Sequence, residues 1–216
     1  MHIEPGFIPQ AKVMLANVSA LGVLGYYARG LIKQPSDILR TVLAAVFFSL
    51  FMQSFHMQVG PSELHFVGAM AMYLTLGFLP TLIGFAVGLL LQGLLFTPVD
   101  LPHLAVNSLS LMLPLIAVHA TLGRKLREAA RELNWAAILK LDAMYYGGVT
   151  AMVGFWLLAS NVQTAFSAWA TFAASYLVIV ALEPVVTYGM VRLLKRHEHT
   201  RIVDTCFAVK SLKLAD

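Results

Sequence analysis

The chain has 216 residues, of which 59% are hydrophobic and 12% are charged, and its mean hydropathy is +0.76. This composition lies outside the range of soluble domains and indicates an integral membrane protein. The single cysteine, Cys206, excludes an internal disulfide, a paired-cysteine redox motif and a cysteine-rich zinc site. The net charge of +4 does not indicate a nucleic-acid partner, because the basic residues lie where they orient the chain in a bilayer.

The chain begins with a polar tail, residues 1–11. No run of basic residues precedes the first hydrophobic stretch and no small-residue cleavage site follows it, so we expect no secretory signal peptide. About 20 helical residues cross a bilayer, so the hydrophobic segment 66–97 is too long for one span. Gly77 and Pro80 lie within it, and we expect the helix to break there. The predicted spans are residues 12–32, 39–55, 66–78, 80–97, 104–121, 139–160 and 163–191.

The basic residues predict the orientation of these spans. With seven spans and the N-terminus outside, every lysine and arginine except Lys12 lies on the cytoplasmic side. With one span fewer, the basic loop around Arg29–Arg40 or that around Arg124–Arg131 would lie on the wrong face. We therefore predict an all-α membrane protein of about seven transmembrane helices in one bundle, N-out and C-in, with a cytoplasmic tail at residues 197–216 and a single domain over residues 1–216.

This topology collects histidines and acids in the extracytoplasmic segments. They are His2, Glu4, His56, Met57, Glu63, His65, Asp100 and His103, with Asn107 about one turn into the next helix. Four of the seven histidines thus share one face of the membrane with three acids, which predicts a cation site. Because segment 66–78 is short, we expect His65 to lie in a recess below the membrane surface.

The first two residues offer a specific chelate. A free amine at Met1, the deprotonated amide of His2 and the His2 imidazole can lie in one plane and close two chelate rings. One more imidazole, for which His65 is the candidate, would complete a square-planar set of nitrogens that suits Ni(II), Cu(II) and in some cases low-spin Co(II). This chemistry requires that nothing precede Met1. Because His2 is bulky, we expect the initiator methionine to be retained.

Three motifs resemble one known family. They are Met1-His2-Ile3 with Gly6-Phe7-Ile8-Pro9, the loop that carries His65, and Val106-Asn107 at the start of a later helix. Over about the first 120 residues the chain resembles the CbiM/NikM family, the membrane substrate-binding components of energy-coupling-factor (ECF) transporters for cobalt and nickel. The family pattern is Met-His-Ile-Met-Glu-Gly-Tyr/Phe-Leu-Pro, a Ser-Ser-His-Pro-Thr-Gly loop and a Gly-Ala-Asn motif. The resemblance implies metal capture by the Met1 amine, His2 and His65, with Asn107 in the same pocket.

The chain departs from this pattern at Glu4-Pro5 and at Ser62-Glu63-Leu64-His65-Phe66, which indicates a divergent branch. Glu63 is therefore a candidate for an oxygen ligand or for a hydrogen bond to an imidazole. His56 and Asp100 are candidates for an entrance that concentrates cations. The simpler alternatives are a helix-capping or hydrogen-bonding role for His65, packing or interfacial positions for His56, and solvated loop acids.

Other polar residues receive no ligand role. Glu183 lies inside the last span, where an ionisable group is costly, and we expect a structural role or a contact with a partner subunit. We expect Asp142 to pair locally with Lys140 near the inner surface, and residues 197–199 (His-Glu-His) to be a solvated tail. His103, which follows a proline in a turn, is a weak ligand candidate, and we expect His119 to be interfacial.

The chain contains no GxxxxGK[ST] phosphate loop, no HExxH motif and no nucleophile elbow, so we predict neither enzyme activity nor a bound cofactor. The predicted function is capture of cobalt or nickel for uptake across a bacterial or archaeal inner membrane. The resemblance implies a coupling membrane subunit and a pair of ATPases as partners. The alternatives are a membrane metal sensor or a non-transporting accessory subunit. A haem-binding subunit is disfavoured, because the histidines gather at one face rather than within facing spans.

Overall fold

The computed structural model describes residues 2–3, 7–60, 62–128, 132–158 and 165–215, without the side chains of His2, Arg127 and Glu128. The described chain is mostly helical. The α-helices are α1 Gln10–Lys33, α2 Ser36–Ser54, α3 Ala69–Leu76, α4 Phe78–Leu95, α5 Leu104–Val118, α6 Arg124–Glu128, α7 Trp135–Leu158, α8 Phe166–Arg196 and α9 Arg201–Cys206. A 3-10 helix, Pro98–His103, precedes α5, and a π-helical turn, His119–Gly123, joins α5 to α6.

Two small sheets hold the connections between helices. The first has the strand order β1–β3–β2, with β1 His2–Ile3, β2 His56–Val59 and β3 Ser62–His65, and its neighbours are antiparallel. The second pairs β4, Glu132–Leu133, with β5, Lys213–Leu214, in parallel. The first sheet thus joins the start of the chain to the connection between α2 and α3.

Four helical segments of the described chain are long and apolar enough to cross a membrane: Ser36–Ser54, Phe78–Leu95, Pro98–Leu126 and Phe166–Arg196. They indicate a multi-pass membrane protein. The helices α1 and α7, at the predicted spans 12–32 and 139–160, have 24 residues each, and this length of about 36 Å exceeds the bilayer core. The count of seven spans and the N-out orientation stay predictions.

The segment predicted as a span at residues 66–78 contains only the short helix α3. It starts after Gly68, which has φ 63°, and ends at Gly77, which has φ 104° and separates α3 from α4. Such φ values suit glycine, and Gly77 lies where the helix break was predicted. The eight residues of α3 are all buried and extend about 12 Å. The helix in this segment is thus shorter than the predicted span 66–78 and is enclosed by the bundle.

Small residues bring α2 and α4 close together. A Cβ atom added at Gly84 would lie 2.5 Å from the Ala44 Cβ, and one at Gly88 would lie 2.5 Å from the Phe48 ring. Only glycine permits this approach of the two backbones. Because β2 follows α2 directly, this packing also fixes the position of the first sheet.

The C-terminal segment folds back onto the bundle. The Ala208 N–H donates to the Thr75 carbonyl oxygen at 2.7 Å, and Arg40 Nη2 donates to the Phe207 carbonyl oxygen at 3.1 Å. Together with β5 these contacts hold the segment against α2 and α3. Most of the predicted tail 197–216 is therefore ordered, although His197 and His199 are exposed as expected.

Candidate metal centre

The first sheet brings together the histidines and the glutamate that the sequence indicates. Glu63 and His65 lie two residues apart on β3, and the register places His56 opposite His65 and His2 opposite Glu63. Residues that are directly opposite, or two apart on one strand, lie on the same face of a sheet. The side chains of His56, Glu63 and His65 therefore share one face, and we call them the outer row.

The Glu63 carboxylate lies between the two imidazoles of the outer row. Its Oε1 atom is 3.0 Å from His56 Nδ1, and its Oε2 atom is 3.0 Å from His65 Nε2. The exposed fraction of the side chain falls from 57% at His56 through 25% at Glu63 to 7% at His65. The outer row thus leads from the surface to a buried imidazole, in agreement with the recess expected for His65.

Both ring nitrogens of His65 face hydrogen-bond acceptors. Nδ1 lies 3.3 Å from the Met52 carbonyl oxygen, which can only accept, so Nδ1 carries a hydrogen. Nε2 faces a carboxylate oxygen, which accepts as well when it is ionised. Either a proton on Nε2 or a cation between Nε2 and Glu63 satisfies this geometry, so the site is built for positive charge.

The distance between His65 Nε2 and Glu63 Oε2 also suits a metal ion. Bonds from a first-row divalent metal to nitrogen and oxygen are about 2.0–2.2 Å long, so two ligands at a right angle lie about 2.9 Å apart. The observed 3.0 Å matches this separation. The pair can therefore provide neighbouring ligands to one ion without a large rearrangement.

The N-terminal strand is anchored on its other edge by α5 and the 3-10 helix. The Ile3 N–H donates to Asn107 Oδ1 at 3.2 Å, and His103 Nδ1 lies 3.0 Å from the Ile3 carbonyl oxygen. Ile3, His103 and Asn107 are all buried. Since β1 is antiparallel to β3, the direction from Ile3 to His2 is also that from Ser62 through Glu63 to His65. The start of the chain is thus directed toward His65.

The predicted ligands are only partly within the described structure. Met1 and the His2 side chain lie outside the described residues, so the proposed chelate is not tested. Within the described part, no group of three or more His, Cys, Asp or Glu side chains has the arrangement of a complete metal site. Asp100 is half-buried in the first turn of the 3-10 helix, and Met57 is exposed. A full coordination set at the outer row therefore needs further ligands, such as those expected from the first two residues.

The structure gives His103 a positioning role that the sequence analysis did not predict. Its place after Pro102 indicated a turn, whereas the structure shows a buried ring that holds the Ile3 backbone. The available signal was its spacing from Asn107, since residues four apart on a helix lie on the same face. His103 and Asn107 act together as positioning residues for the N-terminal strand.

Two other predictions for polar residues have different outcomes. Glu183 accepts hydrogen bonds from the Met70 N–H at 3.0 Å and from the Tyr146 hydroxyl, which agrees with a structural role. The prediction that Asp142 pairs with Lys140 is wrong, because Asp142 is buried beside Glu183 whereas Lys140 is exposed. Adjacency in the sequence does not make a pair here, because residues two apart on a helix face different directions.

His119 has a packing role. Its ring stacks on Phe78 with centroids 3.9 Å apart, and its Nδ1 atom lies 3.0 Å from the Tyr73 hydroxyl. The expected interfacial position is therefore supplemented by specific contacts with α3 and α4.

Asn107→Ala is expected to weaken Ni²⁺ and Co²⁺ binding about 10–100-fold, because outer partners that fix the position of ligands have effects of this size on metal affinity. The variant removes the acceptor for the Ile3 N–H and leaves the helices in place. Equilibrium dialysis on the purified protein measures the effect. Asn134→Ala is the matched control, since Asn134 caps α7 through the Ala137 N–H at 2.9 Å. Equal affinities in the two variants would contradict an anchoring role for Asn107.

Comparisons with known proteins give a family match and two structures of similar fold. The family model described as "CbiM: Cobalt uptake substrate-specific transmembrane region" matches residues 2–201. A solved structure described as a transition metal transporter is 21% identical and has a TM-score of 0.72, covering 94% of this chain and 96% of that chain. Another, described as a truncated transition metal transporter, is 22% identical with a TM-score of 0.71, covering 92% and 100%. At these identities the likeness shows the fold. No curated protein matches the chain.

Proposed function

Because this chain belongs to the CbiM family of cobalt-uptake transmembrane proteins, we propose that it captures Co²⁺ or Ni²⁺ outside the cell for an ECF transporter. Membership makes it a membrane component of transition-metal uptake. The choice between cobalt and nickel, the coupling subunit, the pair of ATPases and the location in a bacterial or archaeal inner membrane belong to the proposal.

One observation carries the proposal for the site. The N-terminal strand is held between β3 and Asn107, and its start is directed toward the buried imidazole of His65. We propose that the Met1 amine, the His2 amide nitrogen, the His2 imidazole and His65 Nε2 bind the ion in a plane. Such a nitrogen set favours Ni²⁺ and Co²⁺ over the hard cations Mg²⁺ and Ca²⁺.

The Glu63 carboxylate helps to neutralise the charge of the bound ion. A divalent ion brings two positive charges, the deprotonated His2 amide provides one negative charge, and the Glu63 carboxylate provides the second. A buried ion without such compensation is strongly disfavoured. The more exposed His56, which also contacts Glu63, provides the first contact for an arriving ion before it moves to His65.

The experiment is metal binding by His65→Ala. Without the buried imidazole, the affinity for Ni²⁺ and Co²⁺ is expected to fall at least about a hundredfold, because losing a ligand exceeds the 10–100-fold effect of losing an outer partner. Isothermal titration calorimetry measures the affinity, and circular dichroism checks the helical content. His199→Ala, at an exposed histidine, is the control. Wild-type affinity in His65→Ala would refute this site.

The alternative of a sensor or accessory subunit is separated by uptake. Cells that express the chain together with a coupling subunit and its ATPases are expected to accumulate nickel or cobalt, and cells without the ATPases are not. Metal binding without uptake under either condition would favour the alternative.

A further inference from the structure

A second group of buried polar side chains lies between α7 and α8. Asp142 and Glu183 are both fully buried, and their carboxyl groups lie next to each other. The two carboxyl groups are hydrogen-bonded to each other, and among the described residues no other hydrogen-bond partner of standard geometry faces the Asp142 oxygens. Such a pair needs a proton or another cation between its members.

Two hydrogen bonds from outside the carboxyl pair hold Glu183 in place. It accepts hydrogen bonds from the Tyr146 hydroxyl and from the Met70 N–H. Met70 lies in the first turn of α3, where the helix dipole stabilises negative charge. These contacts satisfy Glu183, and Asp142 faces it as the second carboxyl group.

Three hydroxyl groups complete the cluster. They belong to Tyr145, Tyr176 and Thr187, which are all buried. The Tyr176 hydroxyl is hydrogen-bonded to the His65 backbone, whereas the hydroxyls of Tyr145 and Thr187 have no partner of standard geometry within the described chain. Tyr145 and Tyr176 lie close to the Glu183 carboxylate, and Thr187 is one helical turn from Glu183 on α8. Buried polar groups are normally paired, so two unpaired hydroxyls together with two carboxyl groups that face each other indicate a bound ligand.

We propose that Asp142 and Glu183, with the hydroxyls of Tyr145, Tyr176 and Thr187, form a second binding site for a divalent cation inside the bundle. Two carboxylates balance the charge of such an ion. Carboxylate and hydroxyl oxygens are ligands that Mn²⁺ and similar divalent ions accept. The cluster provides oxygen ligands, whereas the metal site proposed at the outer row provides mainly nitrogen ligands.

The cluster is also connected to the outer row. The Tyr176 hydroxyl lies beside the backbone of His65. The Tyr176 ring stacks on Tyr146 with centroids 5.0 Å apart, and Tyr146 donates to Glu183. An ion released from His65 therefore meets these carboxylates next, as a station on the path inward. This role in transport rests on the proposed function, whereas the existence of the second site does not.

Mn²⁺ is the probe, because it prefers oxygen ligands and binds a planar nitrogen site weakly. Purified protein in lipid nanodiscs is titrated with Mn²⁺, and free Mn²⁺ is followed by electron paramagnetic resonance. Wild type is expected to bind one ion that Asp142→Asn and Glu183→Gln do not bind. Tyr145→Phe, which removes one hydroxyl without changing charge, is expected to bind about tenfold more weakly.

Control variants distinguish Mn²⁺ binding at this cluster from metal binding at the outer row. Asp204→Asn, at an exposed acid paired with Lys210, is expected to bind Mn²⁺ like wild type, and so is His65→Ala. Glu183→Gln is expected to keep wild-type Ni²⁺ capture. Absence of Mn²⁺ binding in wild type, or equal binding in wild type and both carboxylate variants, would overturn the second site and indicate a shared proton or water. Loss of Mn²⁺ binding in Asp204→Asn would also overturn it, by assigning the ion to the surface.

Discussion

Acetylation of Met1 is expected to weaken the binding of Ni²⁺ and Co²⁺ at least about a hundredfold, measured as the dissociation constant. The Met1 amine becomes an amide nitrogen at the end of the chelate, which keeps its proton near neutral pH. This change removes one ligand and one chelate ring without lengthening the peptide chain.

The measurement is calorimetric affinity together with the visible absorption of the bound Ni²⁺, which reports its geometry. A square-planar spectrum is expected for the native start and is expected to disappear in the acetylated protein. Unmodified protein carried through the same procedure is the matched control. If the acetylated protein keeps both the affinity and the spectrum, the amine is not a ligand, and the outer row binds metal by another arrangement.

A decrease of one pH unit below neutrality is expected to weaken metal capture about a hundredfold, because each proton that the metal displaces contributes a factor of about ten per unit. The amine and the His2 amide each lose a proton when they bind. The sign follows directly: metal binding releases protons, so affinity rises with pH and falls in acid. A third proton is released if the ion-free His65 carries hydrogens on both nitrogens, as its two acceptor neighbours favour.

Calorimetry in buffers of different ionisation enthalpy gives the number of protons released. Native protein is expected to release about two or more per ion, and acetylated protein about one fewer. The acetylated form is the internal control, since it differs only at the amine. An affinity that is independent of pH between neutral and mildly acidic conditions would contradict a nitrogen site and favour binding through Glu63 alone.

Local properties of the sequence were enough to predict the class of the protein and part of its architecture. Hydrophobic content predicted a membrane protein, and the glycine and proline in segment 66–97 predicted a helix break that lies at Gly77. The motifs at Met1-His2-Ile3, His65 and Asn107 predicted the family, which the match over residues 2–201 confirms. These features are readable because hydrophobicity, backbone preference and short motifs depend on neighbouring residues.

Contacts between distant segments were decided only by the tertiary structure. The sheet that joins His2–Ile3 to Ser62–His65, the role of His103 and the pairing of Asp142 with Glu183 all depend on how helices pack. The same is true of α3, an eight-residue helix that is enclosed by its neighbours. The sequence by itself determined the membrane class and the candidate ligands, whereas helix packing decided which of them meet, because a partner distant in the chain leaves no local pattern.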